Sequence, residues 1–536
     1  MTLQPTRIIG TGCTLERGTR WVLPVRALSG EQTMQRRIPR IGLVALTDPR
    51  ETGRSDACER YISRQHNALA EFLRNSGMAV VDPMPELRKA WTDTYGINRM
   101  REIEACVNYF ATNLIECLVV ECYHWSDPAL VAALARRTGV PLALYTDGDA
   151  SWDGTGFVVA VSAVLREGTD LTPATTHCRL RGAKEEILAW ARGVTAYTAL
   201  RRAHLLLWGS ERRLHCDPAR EDEVTLKDRL FGECLHEDQL VLTQAAEALL
   251  AREPKRIESM VTWLKKQGVN IRYDTAMLTP QTLARQVALY LAARDRLAQL
   301  EQAEGVVGCS IKCQCEISEV WGVTACLLPT FLPFPRDAYG PKSDITTVCK
   351  GDLRGLVTSL LLRQLSNEHP VLFGAVRGMT ESYVLIGNCG GASAYYGANS
   401  IDLAKAMPRL ALRPQCLGRG GAAVELSGRP GPMTFARLAR VRGRYVMQLG
   451  LGECQSVRKE VRERLRFGTD WPLHVVKFPS DSKLLFDVLA GDHLSGVPGD
   501  VTAEVTHACR EAGLAVVRLD RDDSLRQAQE ALFGGF

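Results

Sequence analysis

Between Cys309 and Asp352 the chain concentrates residue types that bind metals or move protons: Cys309, Cys313, Cys315, Glu316, Glu319, Cys326, Cys349 and Asp352. Thiolates suit soft or borderline metals such as zinc and iron, whereas carboxylates suit harder ions and general acid–base work. The spacing Cys-x3-Cys-x-Cys at 309–315 matches no common zinc ribbon or ferredoxin pattern. If Val306–Cys315 is one continuous strand, Cys309, Ile311, Cys313 and Cys315 share a face. They are then either ligands or small buried apolar residues, the commoner fate of a free cysteine.

Further along, each candidate carries two readings. Asp352 opens a helical stretch, so it is a metal ligand or simply a helix N-cap. His474 lies in an apolar strand, where it is either a ligand or a packed core imidazole. Lys350 is a surface charge or the partner of an acidic substrate group. His124, in Tyr123-His-Trp-Ser-Asp127, follows a strand at a position where open α/β sheets place ligand loops. His493, in Gly491-Asp-His-Leu, is a candidate for a pocket mouth. Gly387-Asn-Cys-Gly-Gly391 is a glycine-rich turn, but neither a following helix nor a downstream acid makes it a dinucleotide site.

The elements that must hold these residues follow from hydrophobic periodicity. Strands are expected at Ile41–Leu46, Met78–Val81, Cys117–Glu121 and Pro141–Tyr145, with helices over 56–74, 101–111 and from Asp127-Pro128 to Gly139. Such alternation predicts a parallel sheet covered on both faces. A second α/β unit is expected from helix 183–201, strands His204–Trp208, Leu230–Leu235 and Val306–Cys315, and helices 254–267 and 280–303. After helix 353–366 the pattern shifts to short β runs at Val371–Ala375, Tyr383–Ile386, Ala422–Leu426 and Tyr445–Leu449. Gly/Pro punctuation between them predicts an antiparallel sheet or barrel, followed by helix 500–513 and strand Ala515–Leu519. The expected division is an arm at 1–38, α/β units at 39–172 and 173–347, and a β-rich unit at 348–536 with a terminal helix.

At 536 residues, several cores are needed rather than one. A net charge of +5 without any Lys/Arg run argues against nucleic acid or an anionic membrane as the main partner. Seventeen cysteines are an odd count spread along the whole length. With no secretory signal and no long apolar run, they fit free or metal-bound thiols in the reducing cytoplasm rather than a disulfide scaffold.

Ile311-Lys-Cys-Gln-Cys-Glu316, Gly322 with Cys326, Cys349-Lys-Gly-Asp-Leu-Arg-Gly355, Val371–Gly374, Asn388-Cys-Gly390 and Trp471-Pro-Leu-His474 come in an order that resembles the L-fucose isomerase family. The resemblance runs over roughly residues 40–520. It implies two α/β domains followed by a β-rich domain. It also implies a divalent metal, usually manganese, and an aldose–ketose isomerase that moves a proton through an enediol. On this chain the metal positions fall at Cys326, Asp352 and His474, with Asp352 and Cys326 at catalytic positions; Glu316, or Glu319, is the candidate acid/base in place of the lost carboxylate. His124, Lys350 and Trp471 then fall to substrate binding. Two departures stand out: the family's metal-binding glutamate is Cys326 here, and a second glutamate is Lys350. A thiolate favours zinc or iron over manganese and removes one proton-shuttling carboxylate. The alternatives are therefore a zinc or iron enzyme of lyase or thiol type on a polyol-like or acidic substrate, or a non-catalytic sugar-binding protein. The resemblance also implies a trimer or hexamer.

Overall fold

The computed structural model describes residues 38–89, 94–167, 175–210, 223–367, 369–456, 458, 460 and 473–533. The arm expected at 1–38 lies, except for Ile38, outside the described residues.

The first sheet is wholly parallel, in the order Ala79–Val81, Arg40–Ala45, Cys117–Glu121, Leu142–Thr146 and His177–Arg181. Its central strands are buried along their whole length, because helices cover both faces. Those helices begin where local chemistry says they should. Ser55 caps Asp56–Asn75 by accepting from the Cys58 N–H. Asp127 caps Pro128–Thr138, which ends on Gly139 at φ +61°. The fifth strand, His177–Arg181, lies in the stretch that the sequence pattern assigned to the second unit.

The second sheet is also parallel, ordered Thr346–Cys349, Val306–Ile311, His204–Trp208 and Glu233–Glu237. Two expectations are corrected here. The run at Leu230–Leu235 starts pairing only at Glu233. The strand expected over Val306–Cys315 stops at Ile311. Both neighbours end at that level, since Ile311 pairs Trp208 on one side and Cys349 on the other. With no ladder left to join, the chain turns, and the Cys313 carbonyl accepts from the Ile317 and Ser318 N–H groups of a π-helical turn at Glu316–Trp321. The proposed common face of Cys309, Cys313 and Cys315 is therefore lost: Cys309 is buried and Cys315 is exposed.

From residue 372 the chain forms an antiparallel barrel. Its strands run Gly431–Val441, His493–Pro498, Leu372–Met379, Val384–Gly387, Leu473–Lys477 and Arg444–Cys454, and the first pairs again with the last. Ala515–Arg518 adds in parallel to Arg444–Cys454. Alternation splits the wall between two apolar cores. Leu372, Ile386, Phe435, Val476 and Leu494 face one of them. Phe373, Ala436, Leu438 and Val497 face the other, together with helix Leu353–Leu365. Nearly every side chain of that helix is buried, six of them leucines, and each buried leucine contributes about 1.5–3 kcal/mol. The fold is thus α/β, with two parallel-sheet units and a β-rich unit built on a barrel. No helix of the described residues is long and apolar enough to cross a membrane.

Candidate functional site

Two adjacent parallel strands, Val306–Ile311 and Thr346–Cys349, run out side by side, and a cleft opens beyond their carboxyl ends. This is where open parallel sheets commonly bind ligands. The space between its walls, open to solvent, is about 580 Å³. Cys313, Cys326, Cys349 and Cys389 line it, with Lys312, Lys350, Asn388 and Gln415 as the main polar neighbours, and among the described residues no carboxylate takes part.

Each thiol comes from a different segment. Cys313 follows the first strand, Cys349 ends the second, Cys326 precedes helix Leu327–Phe331, and Cys389 sits in the turn after barrel strand Val384–Gly387. Close approach of that turn requires its glycines. A Cβ on Gly390, at φ +129°, would come within 2.6 Å of Gln415 Nε2, and one on Gly391 within 2.6 Å of Pro329.

Three of the sulfurs face N–H donors. Gln415 Nε2 donates to Cys326 Sγ at 3.3 Å, the Ala325 N–H to Cys313 Sγ at 3.2 Å, and Asn388 Nδ2 to Cys349 Sγ at 3.5 Å. The amides are themselves held, Gln415 by the Cys389 carbonyl and Asn388 by the Phe373 carbonyl and the Gly391 N–H. The Cys349 thiol also hydrogen-bonds Cys389. Burial pushes Cys313 up to about 12 and Cys326 higher; for Cys349 the Cys389 contact and burial act together in the same direction. At neutral pH these groups are thiols until something replaces the proton.

Asp352 does not open into this cleft. Its carboxylate accepts from the Gly355 N–H, capping helix Leu353–Leu365, and forms a buried ion pair with Arg437 Nη1 at 2.7 Å. Burial acts to raise its pKa, and the Arg437 charge and hydrogen bond outweigh it, so Asp352 sits below the usual carboxylate range. Packing against the same region, His493 stacks on Phe373 with centroids 4.8 Å apart. Its Nδ1 faces the Asp492 carboxylate at 2.6 Å, and its Nε2 has no hydrogen-bond partner. Burial pushes His493 down to about 4 against the opposing pull of Asp492, so the ring is neutral.

His474 points elsewhere. It pairs with Ile386, one row along the barrel from the row that joins His493, Ala375, Gly387 and Leu473. Adjacent rows project to opposite faces of a sheet. His474 therefore packs against Tyr396 and Gly428 on the side away from Asp352 and His493. Both its ring nitrogens lack hydrogen-bond partners, and burial pushes it down to about 4.

The expected ligand trio thus does not gather at one point. Among the described residues, the one set of three donors within 4.8 Å of one another is Glu223, Cys234 and His236, on the edge of the second sheet. Cys326 alone of Cys326, Asp352 and His474 lines the cleft.

The remaining candidates are scattered. Lys350 lines the cleft in a left-handed conformation, φ +77°, with Nζ 3.8 Å from Asp492. Glu316 lines a neighbouring groove with Trp321 and His236 and is half exposed. Partial burial raises its pKa, but the Lys312 ammonium and nearby backbone N–H groups together lower it more. His124 is engaged by the Gly53 carbonyl and packs edge-on against Trp152 in the first unit. Trp471 lies outside the described residues.

Gln415, Asn388 and Cys389 were missed as site residues. The glycine-rich turn at 387–391 was visible in the sequence, but nothing in its pattern said that it folds over Cys326 and Cys349. Gln415 carries no local signal at all.

No curated protein matches the chain. Residues 386–519 match the family described as L-fucose isomerase, C-terminal domain. That stretch supplies Asn388, Cys389, Gln415, Arg437, His474 and His493. The Cys389 turn, Gln415 and the Arg437 partner of Asp352 therefore lie in the stretch that is similar to an L-fucose isomerase C-terminal domain.

Proposed function

We propose that this protein is an enzyme of L-fucose isomerase-like fold whose reacting site is the thiol-lined cleft. It binds a small polyol- or sugar-like molecule there with a thiophilic metal, zinc or iron. The observation that carries this reading is the lining itself: four thiols, two lysines and three side-chain amides, without a carboxylate among the described residues. Manganese does not fit the residues expected to hold it. Asp352 spends its oxygens on Arg437 and Gly355, His474 faces the other side of the barrel wall, and Cys326 offers a soft sulfur. Proton shuttling between two carboxylates has no counterpart in the cleft. Lys350 and Lys312 instead offer positive charge to a substrate oxyanion, and Asn388 and Gln415 offer amide hydrogen bonds to hydroxyls.

The second reading, a manganese-dependent aldose–ketose isomerase, is favoured by the domain match over 386–519. Metal content of the purified protein, together with ketose formation from a panel of aldoses with and without added Mn²⁺, separates the two. Zinc or iron without ketose formation supports the thiol reading. Mn²⁺-dependent ketose formation overturns it. Cys326→Ser should lower metal content; unchanged metal and activity would remove Cys326 from the site. Gain of isomerase activity in Cys326→Glu would mark this cleft as a diverged isomerase site. A homo-oligomer, trimer or hexamer, belongs to both readings and is checked by light scattering.

A further inference from the structure

We propose that Cys313, Cys326, Cys349 and Cys389 together hold an iron–sulfur cluster. This rests on the reading of the cleft as a thiophilic metal site and specifies what that metal is.

Spacing carries the argument first. Around one tetrahedral zinc, with Zn–S near 2.3 Å, neighbouring sulfurs lie about 3.8 Å apart. Among the described residues, no three of these four sulfurs lie within 4.8 Å of one another, although all four line one cleft. A cluster meets that arrangement, because its cysteines bind different irons of a polynuclear core and need not converge on one ion, even with Cys349 and Cys389 in contact.

The surroundings agree with the spacing. Three of the sulfurs accept N–H hydrogen bonds, from Gln415, Asn388 and the Ala325 backbone. Donors aimed at sulfur stabilise thiolates and tune clusters. Lys312 and Lys350 line the same cleft, each also paired with a carboxylate outside the lining, Glu316 and Asp492, and no carboxylate of the described residues lines the cleft to compete for the metal. The four ligands come from separate segments, so the usual short cysteine motif is absent and only the fold assembles the set. On loading, each thiol gives its proton to solvent as its sulfur bonds iron.

The test uses the full-length protein, purified anaerobically and, if colourless, incubated anaerobically with iron, sulfide and a thiol reductant. The expected result is a visible charge-transfer band, with iron and acid-labile sulfide in comparable amounts. Each of Cys313→Ser, Cys326→Ser, Cys349→Ser and Cys389→Ser should lower both, whereas Cys315→Ser and Cys416→Ser, which alter exposed thiols outside the cleft, should not. Should a ligand variant fail to fold, alkylation of the wild type decides: the four cleft thiols should be protected in the loaded protein and reactive after chelation. Zinc or iron bound without labile sulfide overturns the cluster and leaves the thiol-site reading standing. Absence of any thiophilic metal overturns both. A cluster that persists in all four serine variants also overturns this assignment.

Discussion

Breaking the Asp352–Arg437 pair tests whether Asp352 is a structural anion rather than a metal ligand. Both side chains are buried, less than a tenth exposed, with 2.7 Å between Arg437 Nη1 and Asp352 Oδ2. Removing one partner of such a pair typically costs about 3–5 kcal/mol, because the remaining charge stays buried. Arg437→Met leaves the Asp352 carboxylate with its Gly355 hydrogen bond but without its cation. Asp352→Asn retains an acceptor for Gly355 and strips Arg437 of its anion. Each should destabilise the protein by about 3–5 kcal/mol in urea denaturation followed by circular dichroism. The double variant should cost less than the two singles combined, by about 1–3 kcal/mol. The pH dependence has a defined sign. Because Asp352 is lowered in the fold, its contribution is present above the ordinary carboxylate range and is lost as pH falls through its folded value. Asp352→Asn should flatten that acid limb. Bound metal should be unchanged in Arg437→Met and Asp352→Asn alike. Single variants within about 1 kcal/mol of wild type, strict additivity, or loss of metal only in Asp352→Asn would refute this account.

Gly390→Ala should cost about 1–3 kcal/mol in the same denaturation assay, because φ +129° is open to glycine and the added Cβ runs into Gln415 Nε2. Faster alkylation of Cys326 should accompany it as the Gln415 contact is displaced. Lys350→Gly should be more stable than Lys350→Ala by roughly 1 kcal/mol, since both lose the charge and only glycine relieves the left-handed backbone at φ +77°. His474, ordinarily near 6.5 and pushed down to about 4 by burial, takes up its proton in the unfolded chain first. Its contribution to stability should therefore fall between pH 6.5 and 4, by on the order of 3 kcal/mol, and His474→Leu should remove one proton from that slope. An unchanged slope would mean that the ring is not buried neutral.

Much of the scaffold was legible from local rules. Cys117–Glu121 reads as a buried parallel strand because its apolar run has no alternation, and Asp127-Pro128 marks a helix start because of what those side chains do to backbone N–H groups. Helix Leu353–Leu365 was equally plain, whereas Asp352 at its start read as either cap or metal ligand. The sequence also marked the stretch from Cys309 to Asp352 as the place where chemistry concentrates, with Cys326 within it. Where the strand after Val306 stops was not legible, since the limit is set by neighbours ending at Trp208 and Cys349. Nor was the choice of histidine. His474 and His493 both lie on barrel strands, and a single step in strand pairing decides which face each one meets. Arg437, 85 residues from Asp352, finds it only because the barrel closes. Local propensity fixes elements, because its causes act within a few residues. Register and closure fix the site, because they decide which of those elements share a face.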